Sequence, residues 1–173
     1  SSFDVTAGYD YQYWKSTTPL YSEMNTLGEI QKTSKASDER HVLLSYYGRL
    51  NYSFNSRYML TTTVRRDATS RFAKNVRWGT FPSVALGWRV TEESFLKDNK
   101  VISTLKVRAS YGVTGQQDGI GNYNYLPIYT ISQSGAGSLI GGTPTPTYRP
   151  KAYVPNLKWE TTKAFDLGFD LSL

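Results

Sequence analysis

Apolar and polar residues alternate with a period of two along most of this chain. Residues 3–13 place Phe3, Val5, Ala7, Tyr9, Tyr11 and Tyr13 on one parity, and Asp4, Thr6, Gly8, Asp10 and Gln12 on the other. Side chains of a β-strand point alternately to its two faces, so the spacing predicts a strand with one apolar and one polar face. The pattern returns at residues 42–54, 57–66, 81–90, 104–114 and 157–173. The apolar parity of these segments includes Leu44, Leu50, Leu60, Val64, Val84, Leu86, Trp88, Val107, Val113, Trp159 and Phe169. The second parity includes Leu43, Phe81 and Ala85, and it also carries Arg49, Arg65, Arg89, Lys106, Arg108, Glu160 and Asp166.

Strands of about ten residues exceed the ~5–6 usual in soluble sheets and match the ~9–11 of a tilted strand crossing a bilayer. Mid-strand charges suit a water-filled lumen and would be costly in a sandwich core. The connections also sort by length. Asn55–Ser56 is a tight turn, and Thr91–Ser103 is compact, with an expected helical turn at Glu92–Lys97. Trp14–Glu39, Asp67–Thr80 and Gly115–Asn156 are long and would share one rim of an up-and-down sheet, as in outer-membrane barrels. The Gly/Pro-rich stretch Gly135–Pro150 reads as a surface loop, or as an external contact for a ligand or partner.

Composition narrows the chemistry. Cysteine is absent and His41 is the single histidine, which excludes thiol catalysis and metal sites built on Cys or several His. His41 reads as a rim or loop residue. Glu92 and Glu93 are adjacent on a turn and do not face each other as glycosidase carboxylates would. Gly119-Ile-Gly121 lacks the strand and helix of a phosphate-binding loop. Neither a leader segment nor an apolar run long enough for a spanning helix is expected. The net charge is +6, but the basic residues do not form one stripe, so no nucleic-acid partner is expected. With 14 Tyr, 4 Trp and 7 Phe, most aromatics carry a polar tip suited to a half-wet surface.

Between Tyr47 and Gly115 the motifs become specific. They are Arg49-Leu50-Asn51-Tyr52, Arg66-Asp67 with Ser70-Arg71-Phe72, Arg77-Trp78-Gly79 with Phe81-Pro82-Ser83, Gly87-Trp88, Glu93 with Phe95, and Leu105-Lys106 with Arg108, Ser110-Tyr111-Gly112 and Thr114-Gly115. This combination resembles the barrel region of SusC/RagA-type TonB-linked outer-membrane proteins of Bacteroidetes. Ala68-Thr69 and Gln116 depart from the expected pattern in loop details.

The resemblance implies an all-β fold: residues 1–173 as an antiparallel up-and-down segment of a transmembrane β-barrel of roughly 22 strands. The plug and TonB box are not visible, so a part of a longer chain is expected. It further implies outer-membrane uptake of glycan or peptide fragments, a SusD-like surface lipoprotein, TonB acting through an N-terminal part, and contact with outer-membrane lipid. No catalytic residue, cofactor or metal is expected.

Candidate substrate contacts are Trp78, Arg71, Tyr123 and Tyr125. Trp78 also suits an interface belt. The cluster Arg65, Arg66, Asp67 and Arg71 pins the loop rim through Asp67, attracts an anionic ligand, or meets lipopolysaccharide. Gly112 and Gly115 are expected to permit a tight exit or bulge. Two alternatives remain: a soluble all-β carbohydrate-binding module, and a small closed outer-membrane barrel with structural or adhesive work. The second needs two more strands, and Tyr21–Lys35 offers one poor one. Pairing of the first strand with the last would favour closure.

Overall fold

The computed structural model describes residues 1–96, 101–131 and 137–173. Its strands are β1 (Ser2–Thr18), β2 (Tyr21–Met24), β3 (Ile30–Ser34), β4 (Ser37–Phe54), β5 (Tyr58–Thr69), β6 (Trp78–Arg89), β7 (Thr104–Gln116), β8 (Tyr129–Ile131), β9 (Gly137–Ile140), β10 (Thr143–Pro146), β11 (Tyr148–Pro150) and β12 (Glu160–Ser172). Six of them form one sheet in the order β1-β4-β5-β6-β7-β12, with every pair antiparallel. β1 and β12 are its two edges, so the sheet is open and does not close on itself.

The register turns the alternation into two surfaces. One row of Cα partners runs Phe3–Tyr52–Leu60–Leu86–Ala109–Leu167 across all six strands. On the other face a row runs Asp4–Asn51–Thr61–Ala85–Ser110–Asp166. Hydrogen bonds link that polar row: Asn51 Nδ2 donates to Asp4 Oδ1 at 3.3 Å and Thr61 Oγ1 to Asn51 Oδ1 at 2.9 Å. Ser110 Oγ donates to Asp166 Oδ2 at 3.3 Å, and Arg108 pairs with Asp170 at 2.9 Å. The apolar row stays open, with Phe3, Leu86, Phe165, Leu167 and Phe169 exposed.

At one rim the connections are short. Arg57 N–H donates to Phe54 C=O at 3.0 Å around Asn55 and Ser56, which both have positive φ (49° and 55°). This handedness matches the twist of paired strands, and two non-glycine residues accept its steric cost. The β6–β7 connection starts with a 3-10 turn at Val90–Glu92 in place of the expected helical turn, whose last residue, Lys97, lies outside the described residues. Glu93 then clamps the rim. It accepts hydrogen bonds from Tyr58 Oη (2.6 Å), Trp88 Nε1 (3.1 Å) and Arg57 Nη1 (3.2 Å). The Tyr58 and Trp88 hydrogen bonds, aided by the Arg57 charge, hold the Glu93 carboxyl below the ordinary carboxylate value.

At the opposite rim the sequence reading needs four corrections. Residues 14–18 and 37–41 extend β1 and β4 beyond the expected ends. Tyr21–Ser34 forms two short strands, β2 and β3, where one poor strand was expected. In the Gly135–Pro150 stretch, whose first two residues, Gly135 and Ala136, lie outside the described residues, β9 pairs with β10, and β11 pairs with β8 from before the stretch, giving a nested hairpin. Gly141 (φ 59°) and Gly142 (φ 77°) make its tip. Finally, Leu157 and Trp159 precede β12.

Trp159 belongs to a small buried core with Phe72 and Phe81. Its indole meets both rings edge-on, at 5.6 and 5.3 Å, and its Nε1 donates to Arg77 C=O at 2.9 Å. Pro82 explains why the core forms here. It lacks the N–H a ladder needs, and the β6–β7 register begins at Ser83↔Gly112, just past it. The Phe81 ring fills the opening, although its parity placed it on the wet face. A Cβ on Gly115 would stand 2.1 Å from Phe81 Cζ, and one on Gly79 2.4 Å from the same atom. Gly115 thus makes room for a ring. In the intact barrel, Gly115→Ala is expected to cost about 1–3 kcal/mol by overpacking. Gly48→Ala, with nothing within 4 Å, should stay within about 0.5 kcal/mol. Urea unfolding in detergent compares the two.

Candidate functional site

The long-loop rim gathers most of the side chains singled out by sequence. On the polar face Arg65 Nε donates to both Asp67 carboxylate oxygens at 2.9 Å, and its Nη2 donates to Ser45 Oγ at 3.0 Å. Asp67 and Ser45 are buried, so their polar atoms need these partners. This is the rim-pinning role read for Asp67.

Arg71 reaches from the β5–β6 connection to the segment after β7. Its Nε donates to Asn122 Oδ1 and its Nη1 to Gln117 C=O, both at 3.2 Å. That segment is fastened again to the end of β4. Asn122 Nδ2 donates to Glu39 Oε2 at 3.0 Å, and Arg40 N–H donates to Tyr123 Oη at 3.4 Å. Tyr125 is half-buried in the same turn. Arg71 thus holds, from the neighbouring connection, the docked loop that carries Tyr123 and Tyr125. Below them a cleft of about 600 Å³ opens on the polar face between β6 and β7, lined by Arg65, Asp67, Phe81, Gly115 and Gln117 among others.

Trp78 stands apart. It shares the parity of Leu86 and Trp88 and lies on the apolar face, stacked on Tyr46 at 6.1 Å beneath the Arg66 guanidinium, 5.0 Å from its ring. The structure thus does not bring it together with Arg71 and Tyr123. Trp14 lies on the polar face instead. It stacks on His41 in parallel, ring centroids 4.1 Å apart and planes within 3°, and stays 42% exposed. Both project on the polar side, in line with Gln12 and Leu43. The signal was present: every other aromatic of β1 has odd parity, and Trp14 alone is even.

The family model described as TonB dependent receptor-like, beta-barrel matches residues 2–173. The chain belongs to the TonB-dependent receptor β-barrel family. Within it, the chain is of the SusC/RagA type. TonB-dependent receptor SusC of Bacteroides thetaiotaomicron is 51% identical, over 98% of this chain and 18% of that protein. TonB-dependent receptor P39 of Formosa agariphila is 33% identical, over 96% of this chain and 16% of that protein.

The RagAB peptide transporter has the same fold, with a TM-score of 0.75 at 24% identity over 98% of this chain and 20% of the other. The TM-score is 0.74 against both the closed-closed and open-open states of the RagAB peptide importer. The chain spans about a fifth of the length of these relatives.

The docked loop depends on Arg71. In the full-length protein, Arg71→Ala should raise amide exchange across residues 117–128 about tenfold, and Arg71→Lys should restore part of the protection. Hydrogen-exchange mass spectrometry reads both.

Proposed function

We propose that this chain forms barrel wall and outer loops of an outer-membrane, TonB-dependent nutrient importer that takes up oligosaccharide or oligopeptide fragments. The observation that carries the reading is the spacing of Trp78 and Trp88. Both lie on the apolar face of β6, ten positions apart. At ~3.4 Å per residue and a strand tilt near 40°, that spacing is about 25 Å, the height of a barrel's apolar band between its aromatic girdles. The polar face, with Arg49, Arg65, Arg108 and Asp166, then lines the lumen.

The wall's part is passive, and no residue here is assigned catalysis. Its likeness to both the closed-closed and open-open states of the RagAB importer supports a scaffold against which other parts move. A SusD-like lipoprotein over the long-loop rim fits the family, as does TonB pulling on a part outside this chain. Among ligands we favour an oligosaccharide. The Trp14 indole, fixed by His41, offers an apolar surface to sugar C–H groups, with Arg71, Tyr123 and Glu39 nearby as polar partners.

Leu86→Arg on the apolar face should cost about 2–4 kcal/mol. Ala85→Arg, one position along on the polar face, should be tolerated. Heat-modifiable migration of the full-length protein in the outer-membrane fraction measures both, and equal tolerance would refute the membrane reading. Trp14→Ala should reduce oligosaccharide uptake about tenfold, as loss of roughly one stacking contact predicts, without changing the amount of barrel in the membrane. Growth on the oligosaccharide as sole carbon source, with a short peptide as comparison, checks it. Loss of peptide uptake only would move the ligand class.

A further inference from the structure

The apolar face carries an arginine where its neighbours are apolar or hydroxylated. Arg66 follows Leu60, Thr62 and Val64 on one parity of β5, and its Cα partners are Tyr46 and Thr80. A guanidinium facing hydrocarbon is costly unless it reaches the interface or meets an anion. Arg66 reaches toward the long-loop rim and rests over the Trp78 ring. Beside it, Trp78 lines a groove of about 360 Å³ with Thr80, Asn75, Lys158 and Thr161. One cation thus lies over the indole, and a second, with two threonines, lines the groove that the indole borders. Among the described residues, the groove lining holds no carboxylate. Nearby in sequence, the Nε of Arg77 is buried and meets no acceptor among the described residues.

We propose that this groove seats the phosphate of a phosphorylated glycolipid in the outer leaflet. The inference rests on the membrane reading above. A phosphate ester supplies acceptors for Arg66 and Lys158 and for the Thr80 and Thr161 hydroxyls. The sugar lies against Trp78, and the acyl chains run down Val64, Val84 and Leu86. A free anion would satisfy the cations but would leave that apolar surface bare.

The test uses full-length protein extracted in detergent and incubated with phosphorylated lipid A, with retained lipid read by native mass spectrometry. Arg66→Gln with Lys158→Gln should lower retention roughly tenfold or more. Arg66→Lys with Lys158→Arg should keep it, and Arg108→Gln on the polar face should leave it unchanged. Heat-modifiable migration controls for folding. Should the double variant not fold, Lys158→Gln by itself carries the test, since Lys158 lies outside the strands. Undiminished retention in the variants overturns the proposal, as does equal capture of dephosphorylated lipid A. Displacement by inorganic phosphate would mark a free-anion site and also overturn it. Failure of the membrane reading shows separately, as full-length protein in the soluble fraction.

Discussion

A backbone amide left unpaired in hydrocarbon costs several kcal/mol, so a strand that crosses a membrane has to be laddered along its length. That constraint organises the main sheet. Four of its five ladders run with continuous registers through the span between Trp78 and Trp88, and the fifth, β6 on β7, runs from Ser83 to Arg89. The departure lies in the half of that span nearer the long-loop rim. Pro82 has no N–H to give, β6 and β7 part beyond Ser83, and the opening is closed by Phe81, Trp159 and Phe72. The small core is thus a plug for a gap in the hydrogen-bond ladder, and Gly79 and Gly115 give it its space.

Once the ladders are fixed, parity decides which solvent each side chain meets. Arg65 and Arg66 show how sharply. They are adjacent, yet Arg65 binds Asp67 and Ser45 on the polar face, and Arg66 lies over Trp78 on the apolar one. A one-residue slip of β5 would exchange them, carry Arg65 and Asp67 together to the apolar face, and leave the buried Ser45 without its Arg65 partner. The Arg65–Ser45 hydrogen bond thus ties the register of β5 to β4, while the Arg65–Asp67 pair stays within β5.

Period-two alternation made the six wall strands and their two faces readable, because a strand's faces follow from counting. The Asp67 ion pair was readable too, since its arginine is two residues away. The rim resisted. Trp159 and Phe81 looked like wall residues because parity says nothing of where a ladder stops, and the break depends on a proline facing a neighbouring strand. Pairing of β2 with β3 and β8 with β11 rests on short exposed strands with no buried face to print a pattern. Trp14 falls outside the expected strand, which ends at residue 13, and Trp78 reads both as an interface-belt residue and as a substrate contact because the expected strand starts only at residue 81 and its parity does not reach position 78.

The nested hairpin carries a consequence for how such chains diversify. Its two arms bond to each other and fold back at a two-glycine tip, while β7 and β12 beneath it keep an unbroken register from Gln116 to Thr104. Lengthening or replacing the arms changes the number of rungs in a self-contained ladder and leaves the wall's register untouched. The hairpin is therefore a unit whose length can change without moving a rung of the wall beneath it.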